Sequence, residues 1–144
     1  MSVTIQVTFD AHDPAALGEF WAFALGYDKD APPAGFPTWE DALDHFGVPQ
    51  DERNNAFAVH DPDGVGPRLF FQRVPEPKVA KNRVHLDLRA APGLEGDDRM
   101  HALEARAGEL VGRGATRVRL VPPDALNKGF IVMHDPEGNE FCLD

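Results

Sequence analysis

Four residues combine side-chain chemistry with a position from which they could use it. His85 stands in a run, Val84 to Arg89, where Val84, Leu86 and Leu88 alternate with His85, Asp87 and Arg89. That two-residue period is a half-polar β-strand. Gln6 stands in a similar run, where Val3, Ile5, Val7 and Phe9 alternate with Thr4, Gln6 and Thr8. Gln72 and Cys142 follow on later apolar stretches, with Glu140 on the face of Cys142. A neutral imidazole is a common metal ligand, and a glutamine carbonyl is a hard oxygen donor. His85, Gln6 and Gln72 are therefore candidates for a divalent metal ion or for the polar contacts of a small ligand. Each has a plainer reading: a core histidine bonded to a neighbour such as Asp87, glutamines at a sheet edge, and a cysteine acting as a small hydrophobe.

Other chemistries lack their patterns. The chain contains no G-x-S-x-G, G-x-G-x-x-G, Walker loop or H-E-x-x-H. The single Cys142 excludes an internal disulfide and suits a reducing, cytoplasmic setting. With 24 acids against 14 Lys plus Arg, the formal charge is −10, and no basic stripe is offered to nucleic acid or an anionic membrane. No apolar run approaches membrane-spanning length, and Met1-Ser2-Val3-Thr4 does not open like an export signal.

The elements that must position these residues come in duplicate. His60-Asp61-Pro62-Asp63-Gly64 recurs as His134-Asp135-Pro136-Glu137-Gly138, each between two apolar runs. Asp-Pro-x-Gly is turn chemistry, so each copy reads as a β-hairpin. Upstream of the first copy, Asp13-Pro14 caps a helix with Leu17, Phe20, Trp21 and Leu25 as its apolar stripe and Gly26 as its stop. Upstream of the second, Asp97-Asp98 opens a helix with Met100, Leu103, Ala107 and Leu110 facing inward. Thr116 to Val121 reads as a strand. The order is β-α-β-β-β twice: one domain over 1–144, made of a first module, 1–75, and a second, 82–144, with a Pro-rich linker between them.

Residues 28–56 interrupt the first module with an acidic insertion. Thr38 is placed to cap a short helix carrying Trp39, Leu43 and Phe46 at i, i+4 and i+7. Such a segment serves as a lid or closes a sheet edge. Trp39 and Phe46, with Phe36, are the aromatic residues expected to line or cover a pocket.

Three stretches carry a family resemblance: Phe20-Trp21 to Leu25-Gly26-Tyr27; Phe71-Gln72-Arg73-Val74-Pro75 running on to Asn82-Arg83-Val84-His85-Leu86-Asp87-Leu88; and Asp135-Pro136-Glu137-Gly138-Asn139-Glu140-Phe141-Cys142-Leu143. With the doubled order, the chain resembles the vicinal oxygen chelate superfamily of glyoxalase I, fosfomycin-resistance enzymes, extradiol dioxygenases and bleomycin-binding proteins, and looks like its glyoxalase-like domain branch. The resemblance implies an α+β fold of two paired β-α-β-β-β modules forming a cup-shaped mixed sheet, and a homodimer. It implies a divalent metal held from the first and last strands of each half, with Gln6 and His85 on the first strands. Gln72 and Cys142 stand where relatives carry Glu, so the metal set is incomplete, and glyoxalase chemistry loses its carboxylate base. The function implied first is binding of a small organic molecule in the sheet cavity through Gln6, Trp39, Phe46, Gln72 and His85. The alternative is a metal-dependent lyase, isomerase or transferase with His85 as principal ligand.

Overall fold

A computed structural model describes all 144 residues. The chain divides into two compact units, Met1–Pro77 and Lys78–Asp144. The first runs β1 (Gln6–Ala11), α1 (Pro14–Leu25), β2 (Asp28–Lys29), α2 (Trp39–His45), a 3-10 turn (Gln50–Glu52), β3 (Ala56–His60) and β4 (Arg68–Arg73). The second runs β5 (Leu86–Leu88), α3 (Gly96–Val111), β6 (Thr116–Val121), β7 (Phe130–His134) and β8 (Glu140–Leu143). Their sheets have the same topology, β1-β4-β3-β2 and β5-β8-β7-β6. In each, the first strand pairs parallel with the last and the other pairs are antiparallel. No helix is long and apolar enough to cross a membrane.

Local chemistry accounts for the helices. The Asp13 carboxylate accepts from the Ala16 N–H and Pro14 sits in the first turn; Gly26 ends α1 with φ 69. Thr38 caps α2 by accepting from the Asp41 N–H at 3.1 Å. The repeated hairpin turns are built alike. Asp61 accepts from the N–H groups of Asp63, Val65 and Gly66, and Asp135 from those of Glu137 and Asn139. Asp135 is buried where Asp61 is partly open.

One face of each sheet carries its helix. Leu17, Phe20, Trp21 and Ala24 of α1 are buried, with the rings of Phe9 and Trp21 5.2 Å apart and those of Phe9 and Phe71 5.1 Å apart. Ala24, not Leu25, completes the stripe, because residue 24 lies one turn beyond Phe20 and Trp21. In the second unit Leu103, Ala107 and Leu110 of α3 are buried, as are Leu88, Ile131, Met133, Phe141 and Leu143. The first strands are shorter than their alternation predicts. Val3, Ile5 and Val84 are exposed, since β4 offers partners only from Arg68 onward and β8 only from Glu140 onward.

Candidate functional site

The face of each sheet turned away from its helix holds the chemistry. In the first unit β1 contributes Gln6, Thr8 and Asp10, paired with Arg68, Phe70 and Gln72 of β4; Ala58 and Ala56 of β3 pair with Phe70 and Gln72. The insertion stands over part of this face and, with Ala15 and Glu19 of α1, borders an open cavity of about 470 Å³. Ala58 and Phe70 form its floor, Trp39 and Leu43 of α2 one wall, and Arg53, Asn54 and Asn55 another. This size falls in the range of small-molecule sites, roughly 300–1,000 Å³.

Polar contacts fix the walls. The Trp39 indole N–H donates to the Asp30 carbonyl at 2.8 Å, so the ring is held by its polar edge. Arg53 donates to the Val48 carbonyl from Nε at 3.1 Å and pairs with Asp44 at 2.6 Å and Glu40 at 3.3 Å. Asn54 clamps the insertion to the start of α1, donating to Asp13 at 2.7 Å and accepting from the Ala15 N–H at 2.9 Å. The carboxylate of Asp30 receives His60 Nδ1 at 2.9 Å and Arg68 Nε at 2.9 Å. Burial would raise its pKa, but the hydrogen bonds and charges of Arg68 and His60 outweigh that and hold it below the usual range.

Gln6 and Gln72 lie on this face without converging. Gln6 Oε1 accepts from Arg68 Nη1 at 2.7 Å, and Gln72 Nε2 donates to Asp10 at 2.8 Å. Their positions are four residues apart along the pair β1–β4, roughly 13 Å at strand rise. Trp39 lines the cavity; Phe46 does not, being 62% exposed in an aromatic cluster with Phe36 and His45.

In the second unit, Asp87 of β5 pairs with Cys142 of β8, and alternation puts His85 on their face. His85 Nε2 lies 3.2 Å from Asp87 Oδ1. One ligand atom from each of His85, Asp87 and Cys142 falls within a 4.8 Å span. Burial, then the neighbouring and hydrogen-bonded Asp87, push the Cys142 thiol up to about 11, which excludes a free thiolate nucleophile at neutral pH. Glu140 is engaged elsewhere: it accepts from the Asn82 N–H at 2.9 Å and pairs with Lys78 at 3.3 Å. Burial raises its pKa, but these hydrogen bonds, its own N–H and Lys78 lower it further, to about 2.

The pairing registers relate the halves. Val7 pairs with Leu69 and Leu69 with Val59, as Leu86 pairs with Phe141 and Phe141 with Met133. Counting from these rows, Gln6 corresponds to His85, Thr8 to Asp87 and Phe70 to Cys142. Gln72 thus corresponds to Asp144 rather than to Cys142. The sequence signals missed Asp30, Arg68 and Arg53, whose roles depend on distant partners. Asp87 was visible on the face of His85 but had no partner until β5 and β8 were in register.

The divalent ion suggested by the sequence meets different donors in the two units. At Gln6 the carbonyl oxygen already faces the Arg68 guanidinium, a cation where a metal needs negative charge. His85, Asp87 and Cys142 supply an imidazole, a carboxylate and a thiol, a set that fits.

Two β-α-β-β-β units of this topology in one chain, the first interrupted by α2, define a fold class. The family model of a glyoxalase-like domain matches residues 6–143, and the chain belongs to that family. Solved structures share the vicinal oxygen chelate fold. A fosfomycin resistance protein from Listeria monocytogenes superimposes with TM-score 0.62 at 8% identity, covering 99% of this chain and 92% of that one. A glyoxalase/bleomycin resistance protein/dioxygenase family enzyme from Burkholderia phytofirmans gives 0.59 at 14%, covering 96% and 94%. The bleomycin-binding protein of Streptomyces verticillus, solved with copper(II)-bleomycin, gives 0.52 at 16%, covering 99% and 95%. No curated protein matches the sequence.

Proposed function

We propose that this glyoxalase-like protein binds a small, planar, partly apolar organic molecule in the cavity of its first unit, against Trp39 and Phe70. The observation that carries this is the cavity itself: about 470 Å³, with aromatic and aliphatic groups on floor and wall and polar groups around them. The Streptomyces verticillus neighbour, a bleomycin-binding protein, supports a binding role for the fold. Charge narrows the ligand. Arg68 is engaged by Asp30, and Arg53 by Glu40 and Asp44. Lys29 lies over the Phe57 ring, 4.9 Å from its centroid. Among the charged groups that line the cavity, the carboxylates of Glu19, Asp30, Glu40 and Glu52 outnumber the cations Lys29, Arg53 and Arg68, which favours a cation over an anion.

A matched pair of probes tests this. Titrating 9-aminoacridinium, planar and cationic, quenches Trp39 emission saturably, while acridine-9-carboxylate binds more weakly. Quenching disappears in Trp39→Phe, which leaves only the buried Trp21 as reporter. Ala58→Leu, which fills the floor, abolishes binding by calorimetry. Binding of neither probe, or binding unchanged in Ala58→Leu, sinks the proposal.

A second reading is a divalent-metal-dependent lyase, isomerase or transferase with His85 as ligand. It is favoured by the convergence of His85 with Asp87 and Cys142.

A further inference from the structure

We infer that His85, Asp87 and Cys142 form a zinc site, contained in the second unit and open to a fourth ligand. The inference rests on the metal reading for its location and adds the identity of the ion and two of its ligands.

The strand pairing builds the trio. Asp87 and Cys142 are directly opposed across the parallel pair β5–β8, and His85 stands two residues before Asp87 on the same face. Their ligand atoms lie within 4.8 Å of one another. Donors around a tetrahedral zinc ion stand roughly 3–4 Å apart, given bonds of about 2.0–2.3 Å. Rotation about the outer side chains closes the difference. His85 and Asp87 are 43% and 45% exposed and can turn, whereas Cys142 is 9% exposed and held in a central strand.

The donors select the ion. Thiolate, imidazole and carboxylate together suit zinc and disfavour magnesium and manganese, which prefer all-oxygen octahedra. Thiolate and carboxylate would neutralise the dication. Asp144, also near the thiol, is already paired with Arg89 and Arg99, and Lys81 is a further cation near it. Three protein ligands and solvent access match zinc sites that retain an open position, rather than closed structural ones. The corresponding positions of the first unit, Gln6, Thr8 and Phe70, repeat the geometry without its donors.

Metal titration of the chelator-treated full-length protein tests the inference. Zinc binds at one equivalent in competition with a chromophoric chelator, and manganese binds roughly a hundredfold more weakly. Cobalt gives the intense visible bands of a tetrahedral site and a thiolate-to-metal charge-transfer band. Cys142→Ser removes that band. His85→Ala and Asp87→Asn each weaken zinc at least tenfold, whereas the surface variant Asp97→Asn changes nothing. His85→Ala alters an exposed side chain, so it reports on binding even if Cys142→Ser folds poorly. Manganese binding that requires His85, with no thiolate band from cobalt, overturns the zinc site and leaves the metal reading. Absence of all divalent binding removes both.

Discussion

The two units share a strand order, a helix position and a turn motif, yet their open sheet faces have diverged. At matched register positions the first unit carries Gln6, Thr8 and Phe70 where the second carries His85, Asp87 and Cys142. Arg68, the counterpart of Glu140, puts a cation beside Gln6 and joins an insertion that walls a cavity. The second unit lacks the insertion and gathers metal-ligating atoms instead. Topology, preserved by the cores behind the sheets, therefore says little about chemistry; residues on the opposite faces decide it.

The cores should be the most costly place to disturb this comparison. Phe71→Ala and Leu103→Ala, one buried side chain in each unit, should each lose about 2–5 kcal/mol in chemical denaturation. A single transition for both variants would mean that the units unfold together; two would separate them. Gly18→Ala should also be harmful, because a Cβ there would collide with the Phe57 ring. Overpacking of this kind costs about 1–3 kcal/mol.

The twin turns offer a finer contrast. Asp135 is 2% exposed and accepts from two backbone N–H groups and the Asn139 amide. Asp135→Ala should cost about 1–3 kcal/mol, since buried donors would lose a charged acceptor. Asp61→Ala should cost less, because water replaces the carboxylate. Equal losses would show that exposure does not separate the two turns.

Acid gives a smaller effect. The folded pKa of Glu140, about 2, lies below its ordinary 4.5. Its contribution is therefore complete above about pH 4.5 and declines as pH falls toward 2. Glu140→Gln should flatten this part of the stability profile. The Thr38→Ala cap variant should be milder still for the fold, about 0.5–2 kcal/mol, with its main consequence in weaker probe binding beside α2.

Much of the architecture was legible in the chain. The repeated His-Asp-Pro-x-Gly marked both hairpins, Asp13-Pro14 and Gly26 bounded α1, and Thr38 capped α2 as its position suggested. Strand ends were not legible, because Val3, Ile5 and Val84 have the right alternation but no partner strand. The site was readable in pieces. Trp39 could be picked out by its spacing from Leu43, and His85 by its polar face. Pairing partners such as Asp30 with Arg68, 38 residues apart, or Asp87 with Cys142, 55 apart, depend on register, which local sequence does not encode.

Arg68 reaches Asp30 with Nε and Gln6 with Nη1, and its charged end lies 5.5 Å from the Phe70 ring centroid. One planar fork thus fastens the outer strand β1 to the segment following β2 at the opposite border of the sheet. A lysine there would keep the charge but offer a single nitrogen in place of the two separated ones that reach Asp30 and Gln6. The mouth of the cavity would then be free to widen on the side where Asp30 holds the Trp39 indole.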